Sequence, residues 1–367
     1  MPLIGKNSVE SVELSQEQEQ LISEAKKIYN LNFNGDVWLG RCIFLSWYCA
    51  LGNCDFCFRS TQKHKIHFPE TARRTKESIY AEAFIAKTLK WKLEFLTGGY
   101  GIYSFKDLVE ITKTCREILN EKIWLNLGVL SEPQLKEFLP YIEGVVASVE
   151  TLEPILHKKV APGKPLLPFE KMLDQAKALG LKRSMTIVLG LGETIDDYKY
   201  VNEWIKKHEL SRITYYALRP VKDTPYEHGP APEYVIEWIA KTRIDFPKIE
   251  IIIGSAETRI PEINFLLSAG ANAFTKIPAT KIFGTEGAQQ IHEQVKLAGR
   301  KFTSELVKLP KVNWAQEVSS IITDENLKNK IILKLEDYQK NRLLKAYKDF
   351  KKVDSSNSAD SCDSCDD

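Results

Sequence analysis

Three cysteines within nine residues are the first chemistry this sequence offers. The run WYCALGNCDFCFRS places Cys49, Cys54 and Cys57 as C-x4-C-x2-C. Thiols this close along a chain suit a metal centre better than a disulfide framework. Disulfide-dense folds belong to short secreted chains, whereas this one has 367 residues and an odd seven cysteines. Two metal readings compete. A [4Fe–4S] cluster needs thiolates on a loop tight enough to surround one cube. Gly52-Asn53 supplies such a turn, and Phe56 and Phe58 can screen it from water. A structural zinc ion normally takes four ligands, for which His64 and His67 are the nearest candidates. The iron–sulfur reading is the stronger, and three thiolates leave its fourth iron open.

The elements around the cysteines say what holds them. VWLGRCIFLSWYC, after the Asn34-Gly35 turn, is apolar and rich in aromatic and branched residues, as a buried strand is. Seven more strand candidates follow: 92–99, 123–128, 144–150, 184–190, 213–220, 249–255 and 273–277. Helical patterns separate them at 76–90, 104–120, 131–139, 168–179, 195–207, 230–243 and 259–269. Strands alternating with helices predict parallel βαβ units in an α/β protein, a full or partial (β/α) barrel with its chemistry at the strand C-termini. Periodicity alone does not separate that from an open doubly wound sheet. The predicted layout is an N-terminal helical extension over 1–35, with an amphipathic helix at 16–29, and a barrel over 36–309. Amphipathic C-terminal helices follow over 310–352, then an acidic Cys-containing tail over 353–367.

Composition excludes several function classes. Lys and Arg (51) nearly balance Asp and Glu (49), so no nucleic-acid-binding surface is expected. MPLIGKNSVESVELSQEQEQ has no apolar core of a secretory signal, and no apolar run of about 18 residues occurs, so neither secretion nor a membrane span is expected. A cytoplasmic protein is the expectation.

Behind the cysteine run, local segments in order give the chain a resemblance to the radical S-adenosylmethionine (SAM) superfamily over roughly residues 36–309. The likeness is to the branch of biotin synthase, the HydE-type [FeFe]-hydrogenase maturase and related archaeal proteins. FLTGGYG (95–101) sits where that family has its Gly-Gly motif. SVETLEPILHKKV (148–160) resembles the maturase segment in which a Glu follows the fourth strand, and TIVLGLGET (186–194) is similar to the biotin synthase stretch beside adenine and ribose. ALRPVKDTPY (217–226) and AGANAFTK (269–276) also match that branch. The resemblance implies a [4Fe–4S] cluster on Cys49, Cys54 and Cys57, with SAM chelating the open iron and yielding a 5′-deoxyadenosyl radical. It implies a cofactor site of Gly98, Gly99, Tyr100, Glu150, Val188 and Gly190. Gly98 and Gly99 make physical sense there, because only residues without Cβ let a ligand so near the backbone. Arg183, at the start of the fifth strand candidate, is a candidate partner of the SAM carboxylate, the alternative being a solvent-facing residue after Lys182.

Departures narrow the reading. The family spacing is C-x3-C-x2-C, one residue shorter than here, and Tyr100 stands where the family has an acidic residue. Ser184 and Ser255 occupy positions that would hold the second cluster of biotin synthase, which argues against biotin synthesis. Cys362 and Cys365 in the tail, with Cys42, are candidate ligands of an auxiliary [4Fe–4S] cluster, and Ser361 or Ser364 could complete the set. Cys115 lies on an apolar helix stripe and reads as core. Such a cluster would donate sulfur, so the leading expectation is sulfur insertion into the octanoyl chain of a lipoyl-domain or H-protein lysine. The expected partners are a sister radical SAM protein and an electron donor of ferredoxin or flavodoxin type. The alternatives are a maturase for the guanylylpyridinol cofactor of [Fe]-hydrogenase and a non-enzymatic iron–sulfur carrier. The lysines at 328, 330, 334, 340 and 345 offer a basic face for an acidic carrier protein.

Overall fold

The computed structural model describes residues 12–344, so Cys362, Cys365 and the acidic tail lie outside the described residues. Eight strands run parallel: β1 Asp36–Phe44, β2 Lys92–Thr97, β3 Ile123–Asn126, β4 Ile142–Glu150, β5 Lys182–Leu189, β6 Arg212–Ala217, β7 Glu250–Gly254 and β8 Ala273–Thr275. They pair in chain order, and β1 pairs with both β2 and β8. That double pairing closes the sheet, so the barrel is complete and the open-sheet alternative is excluded. Closure also removes sheet edges that would otherwise have to be covered. A short β9, Lys301–Phe302, adds to the start of β1 through Asp36 and Val37.

The strands read as near-continuous apolar runs because both of their faces are covered, by barrel interior inside and helices outside. In β5, for example, Ser184–Leu189 are all buried. Helix starts follow local chemistry. Ser104 caps the helix Phe105–Leu119 by accepting from Asp107 N at 3.1 Å, and Pro232 opens Pro232–Asp245. The helix Gln16–Asn32 starts in a Ser15/Gln18 capping box and packs on Pro232–Asp245.

Some expected elements divide. The expected helix at 259–269 is a 3-10 turn, Glu257–Glu262, followed by Ile263–Ser268, because Pro261 cannot donate into a regular ladder. A helix not foreseen, Pro154–Val160, fills the connection after β4. The C-terminal helix Glu325–Tyr338 packs on Lys76–Thr88 outside the barrel and ends in a π-helical turn, Gln339–Leu343. Cys115 is fully buried in the core, as its stripe predicted. No helix among the described residues is long and apolar enough to cross a membrane.

Candidate functional site

The cysteine loop leaves the C-terminal end of β1 and is tied down by neighbouring loops. Leu45 N donates to Thr97 O at 2.7 Å, Ala50 N to Tyr100 O at 3.0 Å and Asp55 N to Val160 O at 3.0 Å. Lys63 Nζ bonds the carbonyls of Ala50 and Leu51 at 2.8 and 2.9 Å, fixing the turn between Cys49 and Cys54. Cys54 is buried, Cys49 and Cys57 are half-buried, and all three are free thiols. Burial pushes the Cys54 thiol up to about 12, with Lys164 lowering it and Glu150, Cys57 and Cys49 raising it.

Gly99 meets this loop at backbone distance. A Cβ there would stand 1.5 Å from the Tyr48 carbonyl oxygen and 2.7 Å from Cys49 Cα. Gly98 has more room, its nearest neighbour being Leu45 Cβ at 3.3 Å. The close approach required of the Gly-Gly pair thus falls on Gly99, and it is made to the cysteine loop itself.

Glu150 closes the site from the end of β4. It holds a φ of +66°, a costly conformation for a residue with a side chain. Its carboxylate receives Lys164 Nζ at 2.5 Å, and both side chains are close to buried. Burial alone would depress the Lys164 ammonium. Glu150, with Cys54 and Tyr100, more than offsets that, and the net pKa is raised. Tyr100 shares these neighbours, and burial raises its phenol. Val188 packs with Cys54, Val160, Ala161, Leu191 and Leu218, against Phe56 and Cys57. Gly190, at φ +102°, donates its N–H to Glu193 Oε1 at 2.6 Å, and Leu191 donates to Oε2 at 2.9 Å. Glu193 therefore shapes this turn from within.

Beneath the loop, Cys42, Phe44, Phe95, Trp124, Val146 and Tyr216 form an apolar layer contributed by strands on several sides of the barrel. One buried carboxylate lies among them. Glu94 accepts from Cys42 Sγ at 2.8 Å, Tyr216 OH at 2.8 Å, Thr275 Oγ1 at 2.6 Å and Thr214 Oγ1 at 3.2 Å. Four donors fill the carboxyl group's acceptor sites, which is how so polar a group is tolerated in an interior. The Lys276 ammonium stands over the Phe44 and Tyr216 rings, 4.6 and 5.0 Å from their centroids.

Of the expected site residues, Cys49, Cys54, Cys57, Gly98, Gly99, Tyr100, Glu150, Val188 and Gly190 converge on one end of the barrel. Arg183 does not. It enters β5 at the opposite end, where its guanidinium bonds the carbonyls of His208, Leu181 and Glu209 at 2.9–3.0 Å. Its expected contact with a SAM carboxylate is therefore corrected: it clamps the chain between a helix end and the next strand. Cys42 faces the barrel interior, and burial followed by Glu94 raises its thiol pKa, so the arrangement holds it as a thiol. His64 and His67 are exposed and are not gathered with the cysteines. Glu94, Lys164, Tyr216 and Lys276 escaped the sequence reading. Glu94 left a signal, a charged residue in the middle of the apolar run KLEFLT.

Residues 45–205, from the cysteine loop to the helix after β5, match the radical SAM superfamily. An uncharacterized protein of Methanocaldococcus jannaschii is 39% identical over 77% of this chain and 80% of its own length. The chain belongs to the radical SAM superfamily. Among other radical SAM proteins, biotin synthase of Clostridium tetani is 26% identical over 69% of this chain and 79% of its own. The crystal structure of methylornithine synthase superposes with a TM-score of 0.65 at 20% identity, covering 79% of this chain and 91% of that one. This last likeness concerns the fold.

Membership implies a [4Fe–4S] cluster and SAM, and the residues fit both. No group of three or more His, Cys, Asp or Glu side chains among the described residues, the three cysteines included, is tight enough for a single metal ion. A donor set of three soft thiols suits an iron–sulfur cluster better than a zinc site short of its fourth ligand. Cys49, Cys54 and Cys57 would hold the cluster. The Gly98-Gly99 backbone, Tyr100, Glu150 with Lys164, Val188 and the Gly190 turn stand at the same end of the barrel as that loop.

Proposed function

We propose that this radical SAM enzyme activates an unreactive C–H bond for sulfur insertion into the octanoyl chain of a lipoyl-domain or H-protein lysine. A sister radical SAM protein would make the other C–S bond, and an electron donor of ferredoxin or flavodoxin type would supply the reductant. The observation that carries the radical chemistry is the seating of the Gly99 backbone against the cysteine loop, beside the buried Glu150–Lys164 pair.

Held by Cys49, Cys54 and Cys57, a [4Fe–4S] cluster would supply the electron for reductive SAM cleavage, the chemistry needed to take hydrogen from an unactivated C–H bond. The rest falls to the chain. Lys63 and the Ala50–Tyr100 bond hold the loop in one shape, and Phe56, Val188, Leu191 and Leu218 exclude water from the buried Cys54 side. Glu150 offers a hydrogen-bond acceptor held in place by Lys164. Below, Phe44, Phe95, Trp124 and Val146 give a wall suited to an aliphatic chain, and Glu94 holds the Tyr216 and Cys42 side chains in fixed positions.

The sulfur source in this proposal is an auxiliary cluster on Cys362 and Cys365. Cys42 is engaged by Glu94, so those two residues carry the proposal. Iron and sulfide are measured anaerobically on reconstituted wild type, on a Cys49/Cys54/Cys57→Ala variant, and on that variant with Cys362 and Cys365 also replaced. About four irons should survive the triple substitution and vanish with the tail substitutions. A triple variant without iron would sink sulfur insertion and leave the radical SAM assignment untouched.

A further inference from the structure

Nine large apolar side chains are exposed among the described residues, and their placement is uneven. Six stand on the connections that follow β1, β3 and β4: Trp47, Phe58 and Phe68 after β1, Val129 after β3, and Ile155 and Leu167 after β4. The connections after β5 to β7 expose none of the nine, and the one after β8 exposes Leu297, at the C-terminal end of the helix Glu286–Leu297. Single exposed apolar residues need no explanation, but a group on one half of an active-site rim marks an interaction surface. The Ala50–Tyr100 and Asp55–Val160 backbone bonds join these loops into one face.

The same face is basic. Within residues 45–75 and 151–165 Glu70 is the one exposed acid, while Arg74 and Lys164 are taken up by Glu82 and Glu150 and Lys65 stands 3.5 Å from Asp223. Lys65, Arg73, Lys158 and Lys159 are exposed. On the helix Pro154–Val160, Ile155, Lys158 and Lys159 share the outward face while His157 and Val160 are buried. Trp47, 49% exposed, stacks on Phe44 with ring centroids 5.7 Å apart, and Phe44 belongs to the apolar layer inside the barrel. The stacked pair therefore links the rim to the interior layer through side-chain contact.

We propose that the β1–β4 half of the rim is the docking face for an acidic carrier protein that presents its substrate on a side-chain arm, threaded past Trp47 and Phe44 into the barrel. This rests on the reading of a protein-borne substrate and adds where the carrier binds. Charge complementarity selects an acidic partner. The Trp47–Phe44 link to the interior apolar layer favours a substrate carrier over an electron carrier, which needs only to approach the cluster. A second copy would set the same basic face against itself across a two-fold contact.

The probe is an octanoylated lipoyl domain with an acidic surface, titrated anaerobically against the reconstituted full chain. Variants are Ile155→Glu, Lys158→Glu/Lys159→Glu and, as a control on the C-terminal helix, Lys334→Glu/Lys340→Glu. Both rim variants should raise Kd and KM about tenfold or more. They should leave kcat and dithionite-driven SAM cleavage without substrate unchanged. Added salt should weaken wild-type binding more than that of the double lysine variant. Rim variants that bind like wild type, or a control variant that loses as much, would overturn the docking face while leaving the carrier-borne substrate standing. Variants that lose only flavodoxin reduction, or only a concentration-dependent dimer, would overturn the choice of partner. Wild type that does not bind the domain at all would sink the carrier-borne substrate, and the docking face with it.

Discussion

Replacing Gly99 by Ala tests whether the Gly-Gly backbone and the cysteine loop form one rigid seat. The added Cβ would lie 1.5 Å from Tyr48 O, 2.5 Å from Tyr48 C and 2.7 Å from Cys49 Cα. All three are backbone atoms, so no side chain can swing away to make room. Reaching even a 3.0 Å contact requires the two segments to part by about 1.5 Å. Overpacking of this kind typically costs about 1–3 kcal/mol of stability. The larger effect should be on chemistry, since a displacement of about 1 Å at a reacting centre costs on the order of a hundredfold in rate. Gly98→Ala is the control, because its Cβ meets Leu45 Cβ at 3.3 Å, a contact relieved by a few tenths of an ångström. The assay is iron content after reconstitution, together with 5′-deoxyadenosine release under dithionite. Gly99→Ala should lose cluster, SAM cleavage or both by about a hundredfold, with Gly98→Ala within about threefold of wild type. Equal behaviour of the two variants, or an active Gly99→Ala, would refute the reasoning.

Lys164→Met strands the Glu150 carboxylate in a nearly buried site and should destabilise the fold by about 3–5 kcal/mol in urea. Adding Glu150→Gln should recover part of that loss, and simple additivity of the two would show that the pair is not coupled. Glu82 is buried, and although burial raises its pKa, Arg41 and Arg74, each at 2.5 Å, lower it further, for a net depression. A carboxyl depressed on folding adds stability above its unfolded pKa and loses it as pH falls through the folded value. As pH falls below about 4.5, the unfolded value, wild type should therefore lose more stability than Glu82→Gln, whereas between neutral pH and about pH 5 the two should run parallel. Parallel losses for the two in the acid range as well would contradict this. Arg183→Ala should lower the melting temperature by removing bonds to three carbonyls while leaving SAM affinity, read by equilibrium dialysis, unchanged. A matching loss of SAM binding would restore Arg183 to the site.

The strand candidates, the order of helices and the grouping of Cys49, Cys54 and Cys57 on one loop were legible because they are local. Burial on two faces writes an apolar run into each strand, and a cube of iron and sulfur forces its thiolates close along the chain. Barrel closure was not legible, since it depends on β1 finding β8 across more than two hundred residues. Arg183 misled for a different reason. It directly precedes the strand candidate 184–190, which already put it at the N-terminal end, away from the strand C-termini, and there the free carbonyls of a helix end capture the guanidinium. Lys164 is one lysine among many in the sequence, and only the connection after β4 folding back over Glu150 gives it a role. Glu94 shows the division most plainly. Its placement in an apolar strand was visible, but its four donors come from β1, β6 and β8 and meet it only in the closed barrel. Sequence by itself determined the elements and the cluster-binding loop, through short-range periodicity and ligand spacing. Only the tertiary structure decided which charges are paired, which thiol is engaged and which loops share a rim, because those depend on contacts between residues far apart in the chain.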